Sequence, residues 1–246
     1  VDHEDRKARI AGQLENVAAT KQLQPVADDN LLDEVTGLVE WPNVVMGQIE
    51  TEFMSLPPEV LVTSMRVHQK FFALSQKGAT ENLAPFFMTV TNRRSDLVND
   101  KLIAAGNERV LRARLADAKF FYEQDKQTPL DSLAEKLEVI TFYEGLGSVA
   151  DKAERMAALA GAIANHLDAA DPDTARRAAV LAKVDLASEM VGEFPELQGI
   201  MGGYYATAAG EAADVADAMT QHYRPQGPSD EIPASLYGRI VALADK

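Results

Sequence analysis

The chain has 246 residues, 46% hydrophobic and 25% charged, and its 38 acidic against 24 basic side chains give a formal net charge of -14. That length suits two ordinary domains, and no apolar run approaches what a membrane span requires. The absence of cysteine excludes disulfides and thiolate zinc sites and leaves the cytoplasm as the default compartment, while the acidic balance confines any nucleic-acid contact to a local basic patch.

The N-terminal VDHEDRKARIAGQLENVA lacks a basic start, an apolar middle and a cleavage site, so it reads as the exposed half of a helix rather than a leader. From Thr36 to Asn92 the signals are mixed α/β: GLVEWPNVVMGQIE is β-branched and apolar, and Pro57-Pro58 opens EVLVTSMRVH at helical spacing. Lys70 to Ser75 and Phe86 to Thr91 are short apolar runs around a polar stretch containing Gly78 and Asn82, which predicts a long-looped β-hairpin. A helix is expected over Lys101 to Lys126, and Thr128-Pro129 starts another, DSLAEKLEVITFYE, that links two domains.

After about Gly145 the strand signals stop. Ser148 and Asp151 form a capping box before DKAERMAALAGAIANHL, and Asp171-Pro172 supplies a cap and a first-turn proline for DTARRAAVLAKVDLASEMVGEF. A third helix is predicted from Glu211 to His222 and a fourth from about Ala234, with the turn-rich RPQGPSDEIP between them. That last pattern stops at Lys246 with no terminating residue, so the chain reads as a piece cut at both ends. The predicted class is α+β: a mixed α/β domain over 1–127, a linking helix over 128–147 and an all-α domain over 148–246.

On a helical wheel Lys101, Arg109, Arg112, Lys119 and Lys126 share a face with Glu108 and Glu123, so that face is either a row of ion pairs or a phosphate-tracking stripe. Asn107 and Arg114 fall on the opposite arc among Ile103, Val110, Ala118 and Phe121, where a guanidinium needs a carboxylate such as Asp117, a carbonyl or a ligand; Gly106 is where this phase would slip. Lys70 ends the helix before the hairpin, a favourable place for a cation without any chemistry. His3, His68, His166 and His222 show neither HxxxH spacing nor a nearby acidic partner at metal-ligand distance in sequence, and no nucleophile elbow or phosphate-binding loop is visible. Asp185, Glu189 and Glu193, one turn apart, would line one side of a helix, either solvated or facing a cleft, with Arg177 and Lys183 nearby.

Several long stretches carry a resemblance: LVEWPNVVMGQIETEFMSLPPEVLVTSMRVHQKFFAL, GNERVLRARLADAKFFYEQD, LAKVDLASEMVGEFPELQGIMGGYYA, HYRP and ALADK. In this order, over 31–246, they resemble the β subunit of bacterial heterotetrameric glycyl-tRNA synthetase, a longer chain that ends in an anticodon-binding domain. The resemblance implies that glycine activation with ATP and Mg belongs to the α subunit, that this piece carries no catalytic residue, cofactor or metal, and that its partners are the α subunit and tRNA-Gly, with no membrane. Lys70, Arg109, Arg112, Arg114 and Lys119 are then the candidates for tRNA contact.

By the same resemblance, residues 1–127 are similar to the B3/B4-type domain of phenylalanyl-tRNA synthetase and residues 148–246 to an HD domain, the scaffold of metal-dependent phosphohydrolases. Val184-Asp185 stands at the His-Asp pair, Asp245 at the late acid and Lys152 at the early histidine. Both imidazole ligands are thus replaced, one by a cation that repels a divalent metal, and Lys152 is expected to pair with Asp185 or Asp245. A degenerate HD-type phosphohydrolase is the alternative reading; a substrate or editing pocket in the B3/B4-like half is a third, and nothing in the residues marks one.

Overall fold

Helix caps and apolar periodicity set most of the elements. The computed structural model describes residues 2–246, with the backbone alone at Thr80 and Glu81, and the chain divides into two compact units between Phe120 and Phe121.

In the first unit α1 (His3–Ala19) buries Ile10, Leu14 and Ala18, four residues apart. α2 (Asp29–Leu38) starts at Asp28, whose carboxylate accepts the Leu31 N–H at 2.9 Å, and buries Leu31 and Val35. These side chains pack with Val44, Phe72, Leu74 and Met88 of a four-stranded antiparallel sheet. Its strands β1 (Leu23–Pro25), β2 (Pro42–Gln48), β3 (Phe72–Gln76) and β4 (Ala79–Asn92) lie in the order β1-β3-β4-β2. α3 (Pro58–Gln69) has proline in its first turn and ends at Lys70 in the left-handed conformation, φ 56°.

The hairpin differs from the expected one. Gln76 pairs with Ala79, so Lys77-Gly78 is a two-residue turn and the polar stretch after it belongs to β4. Gly78 at φ 78° gives the backbone hand that tight hairpins need, and ladder pairing overrides the strand-poor composition. Gly47, opposite Phe87 in β2, is required for another reason: a Cβ there would run into the buried Phe87 ring, which stacks on Phe71 at 4.6 Å.

α4 (Leu97–Gln127) runs uninterrupted through Gly106. In the first unit it buries Leu111, Leu115 and Ala118, of which only Ala118 lies on the expected arc; Val110 is 44% exposed and Arg114 is only half-buried. The last residues of α4 belong to the second unit.

That unit begins with α5 (Leu130–Lys136), a 3-10 turn (Leu137–Val139) and a small hairpin, β5 (Thr141–Tyr143) and β6 (Gly147–Ser148). The single linking helix expected from Thr128 is therefore half a helix followed by strands. Val139, Ile140 and Thr141 are β-branched, and Gly145 and Gly147 adopt φ 83° and 88°, so the helix fails where propensity turns against it. α6 (Val149–Ala164) carries the predicted capping box, and α7 (Pro172–Leu181) has Asp171 accepting the Thr174 N–H at 2.8 Å. These two pack through Ala153, Ala157, Ala160, Ala175, Ala178 and Ala179, small buried side chains that let helices approach closely.

The long helix expected to follow is broken. After Ala182 come a 3-10 turn (Val184–Ala187), α8 (Glu189–Glu193) capped by Ser188, a second 3-10 turn (Pro195–Leu197) and α9 (Ile200–Ala208). Ser188 donates to the Asp185 carbonyl at 2.6 Å and accepts the Val191 N–H at 3.2 Å, so its hydroxyl ends one segment and starts the next. α10 (Ala213–Gln221) and α11 (Leu236–Asp245) complete the unit.

Candidate functional site

The basic positions of the first unit are largely matched by carboxylates from other segments. Lys70 meets Glu34 at 2.8 Å, Arg112 meets Glu50, and Lys119 meets Glu52 at 3.0 Å. Glu108, expected to pair along its own helix, accepts the Gln48 N–H at 2.9 Å. Together with Ile49, Phe53, Leu111 and Leu115, residues Gln48, Glu50, Glu108 and Arg112 line a cleft of about 270 Å³. Arg109 and Lys101 are exposed.

In the second unit the structure gathers Lys152, Lys183, Asp185, His222, Tyr223 and Asp245 into one polar core. Asp245, at the end of α11, receives Lys183 Nζ on Oδ2 at 2.8 Å and Lys152 Nζ on Oδ1 at 2.6 Å; Lys152 also reaches the Asp245 carbonyl at 3.1 Å. The Lys183 side chain is 6% exposed, and its ammonium lies 3.7 Å from the centre of the Tyr223 ring. Lys152 lies over Phe142 at 4.5 Å. Burial pushes the Lys183 ammonium below its ordinary range against the pull of Asp245. Burial pushes the Asp245 carboxyl the other way, but hydrogen bonds from Lys152 and Lys183 outweigh it and hold the group low.

Asp185 takes no part in that ion triad. Its Oδ2 accepts the N–H groups of Gly199 at 2.5 Å and Gly202 at 3.2 Å, at the start of α9, where an anion meets the positive end of a helix. Its Oδ1 is buried without a hydrogen-bond partner among the described residues. Full burial raises the carboxyl to about 6, although the two backbone donors work against the rise. Of the two partners the sequence allowed for Lys152, the structure selects Asp245.

The acidic stripe read from Asp185, Glu189 and Glu193 does not form. The helix breaks between the first and the others, leaving Asp185 buried and Glu189 and Glu193 exposed. A second buried carboxylate instead anchors this stretch: Asp125 accepts the Glu189 and Met190 N–H groups at 3.0 Å each and the Tyr205 hydroxyl at 2.8 Å. The segment from 185 to 201 is thus held at α8 by Asp125 and at α9 by Asp185.

His222 escaped the sequence reading, which sought histidines by pairwise spacing. Its position just beyond an amphipathic helix and before a turn-rich segment was the available signal. It is fully buried; Nδ1 donates to the Met219 carbonyl at 2.8 Å, so Nε2 is the bare nitrogen, without a partner among the described residues. Burial, aided by the Lys183 charge, keeps the ring neutral with a pKa well below the ordinary imidazole range. His3, His68 and His166 are exposed.

These donors do not fit the metal of an HD hydrolase. Two ammonium groups hold the late acid, Val184 is buried and apolar at the pair's first position, and Asp185 points at backbone amides. Among the described residues no group of three or more His, Asp or Glu is disposed to hold a metal. An acid held by two lysines can brace a fold, and the two ammonium groups oppose a divalent metal at that position.

The family model described as the glycyl-tRNA synthetase beta subunit matches residues 1–246. Among curated proteins, the glycine--tRNA ligase beta subunit of Phenylobacterium zucineum is 48% identical over 249 residues, covering 100% of this chain and 37% of that protein. Those of Azotobacter vinelandii and Bacillus subtilis are 47% and 46% identical, covering 100% and 98% of this chain and 35% of each relative. The chain thus spans about a third of the length of the curated relatives it matches.

Proposed function

The chain belongs to the glycyl-tRNA synthetase beta-subunit family, and from that membership we propose that it is a tRNA-binding and scaffolding part of a glycine-tRNA ligase. It works with an α subunit that activates glycine with ATP and Mg, in a cytoplasmic heterotetramer that charges tRNA-Gly. The observation that carries this reading is the match along the entire chain at nearly half identity. In this reading the first unit is B3/B4-like and the second an HD-like scaffold that has given up hydrolysis.

The second unit's interior supports a structural role. Lys152 and Lys183 sit on Asp245, where a phosphohydrolase needs an unencumbered acid. Among the described residues no helix is long and apolar enough to cross a membrane.

The full-length β subunit, mixed with its α subunit, is expected to charge tRNA-Gly and to bind it with strong salt dependence. Alone it is expected to give no glycine-dependent pyrophosphate exchange. Exchange by the β subunit alone would place adenylation in the β subunit and overturn the reading. Manganese-dependent phosphoester hydrolysis that Asp185→Asn abolishes would favour the hydrolase alternative.

A further inference from the structure

In the first unit most of the basic candidates are neutralised by acids, as the Lys70, Arg112 and Lys119 pairs illustrate. Arg9 and Arg94 are different. Both are exposed, and neither has an ion-pair partner among the described residues. Both turn instead to Trp41, the single tryptophan of the chain, with their guanidinium carbons 5.0 and 5.1 Å from the centre of an indole ring.

The backbone holds this arrangement at the surface. The Asn92 side chain, at the end of β4, accepts the N–H groups of Glu40 and Trp41 at 3.1 and 2.8 Å, which fixes Trp41 beside the residues that follow β4, Arg93 and Arg94. Arg9 arrives from the exposed side of α1. Trp41 keeps 40% of its surface in solvent. Exposed cation-aromatic contacts contribute about 0.5–1 kcal/mol each, too little to explain a large ring and two unneutralised guanidinium groups held together at the surface of so acidic a chain.

We propose that Arg9, Trp41 and Arg94 form an RNA-binding platform, on which an unpaired base stacks against the indole or a guanidinium plane while a neighbouring phosphate is held by the two arginines. The chemistry favours RNA over an acidic peptide, because a planar aromatic flanked by planar cations matches a base and its phosphate, whereas a carboxylate-rich peptide has no use for the ring. Glu40, exposed and next to Trp41 in sequence, repels a phosphate from one side and narrows the approach. The inference rests on the reading that this chain takes part in charging tRNA.

The test uses the full-length β subunit assembled with its α subunit, and filter binding of tRNA-Gly over a salt series. Arg9→Glu with Arg94→Glu is expected to weaken binding at least about ten-fold at low salt and to lower the slope of log affinity on log salt by about 1–2. Trp41→Ala should weaken it about ten-fold and Trp41→Phe much less, since phenylalanine preserves a stacking face. In charging assays these losses should appear in KM for tRNA with kcat kept, and thermal melting should match the parent. If the parent binds and charges but the variants bind equally well, the platform is wrong and the function stands. If the parent shows no salt-sensitive tRNA binding, the function itself falls and the platform with it. Variants that lose the α subunit while keeping tRNA affinity would make this a protein contact and overturn the RNA assignment.

Discussion

Arg112 with Glu50 and Lys119 with Glu52 in the first unit, and Lys183 and Lys152 with Asp245 in the second, are the same chemistry in different media. The side chains of the first set are 35–59% exposed, whereas Lys183 and Asp245 are 6% and 10% exposed. In water such a pair gains little, because solvent screens the attraction and two long side chains lose freedom. In the interior the charges have given up hydration, and each depends on its partner to recover it. The difference teaches where to look for function: charge that is buried and matched holds a fold, and charge left exposed and unmatched is available to a ligand.

The contrast breaks first at Asp245. Asp245→Ala leaves two lysines without their common acid, one almost fully buried, and should destabilise the protein by about 3–5 kcal/mol. Urea denaturation followed by circular dichroism measures it. A loss below about 1 kcal/mol would mean that the ammonium groups reach water and that the second unit's core is no different from the first unit's surface.

A smaller effect separates two buried groups that do not pair. Asp185 has a folded pKa above its unfolded value, so its contribution to stability is present at low pH and lost as pH rises from about 4 to about 6, by up to about 3 kcal/mol. His222 has a folded pKa below its unfolded value, so its contribution is present above the ordinary imidazole range and lost as pH falls. Across this window the two oppose each other. Relative to the parent, Asp185→Asn should leave stability climbing more steeply with pH, and His222→Gln should flatten or reverse the climb. Parallel profiles for the two variants would sink the assignment. Next in size, Tyr205→Phe removes the hydroxyl on buried Asp125 and should cost about 1–3 kcal/mol, read by urea denaturation.

Local features were legible in the sequence and distant ones were not. The capping box at Ser148 and Asp151 and the cap at Asp171 need only residues three apart in the chain, and both are present. The α+β class followed from the same periodicities. The turn at Lys77-Gly78 and the strand at Thr141 were missed because backbone pairing and glycine φ outweighed composition. The break after Ala182 was hidden because Ser188 sits inside an unbroken run of helical periodicity, and its capping role rests on the Asp185 carbonyl and the Val191 N–H. Asp185 is buried by backbone donors 14 and 17 residues away, and Lys152 finds Asp245 across 93 residues; no helical wheel contains those distances. The family resemblance brought Lys152, Asp185 and Asp245 together, and could not say which would pair. Arg9, Trp41 and Arg94 come from three separated segments, so their stack had no signature in the sequence.

The smallest predicted effect is the strictest test of the contrast. Arg112→Ala removes a half-exposed guanidinium from Glu50, and Lys119→Ala an ammonium from Glu52; each should cost less than about 1 kcal/mol, and less still at high salt. Arg112 is the more informative of the two, because it borders the cleft shared by Glu50 and Glu108. If the cleft behaves as water, the stranded carboxylates are solvated and a double-mutant cycle of Arg112→Ala with Glu50→Ala yields a coupling of a few tenths of a kcal/mol. If the cleft behaves as an interior, the coupling exceeds about 2 kcal/mol, since one acid is left in low dielectric beside another. Glu108 would then be held by more than its bond to the Gln48 N–H. Such a result would make Arg112 a member of the fold, and would strike it from the residues that can meet tRNA.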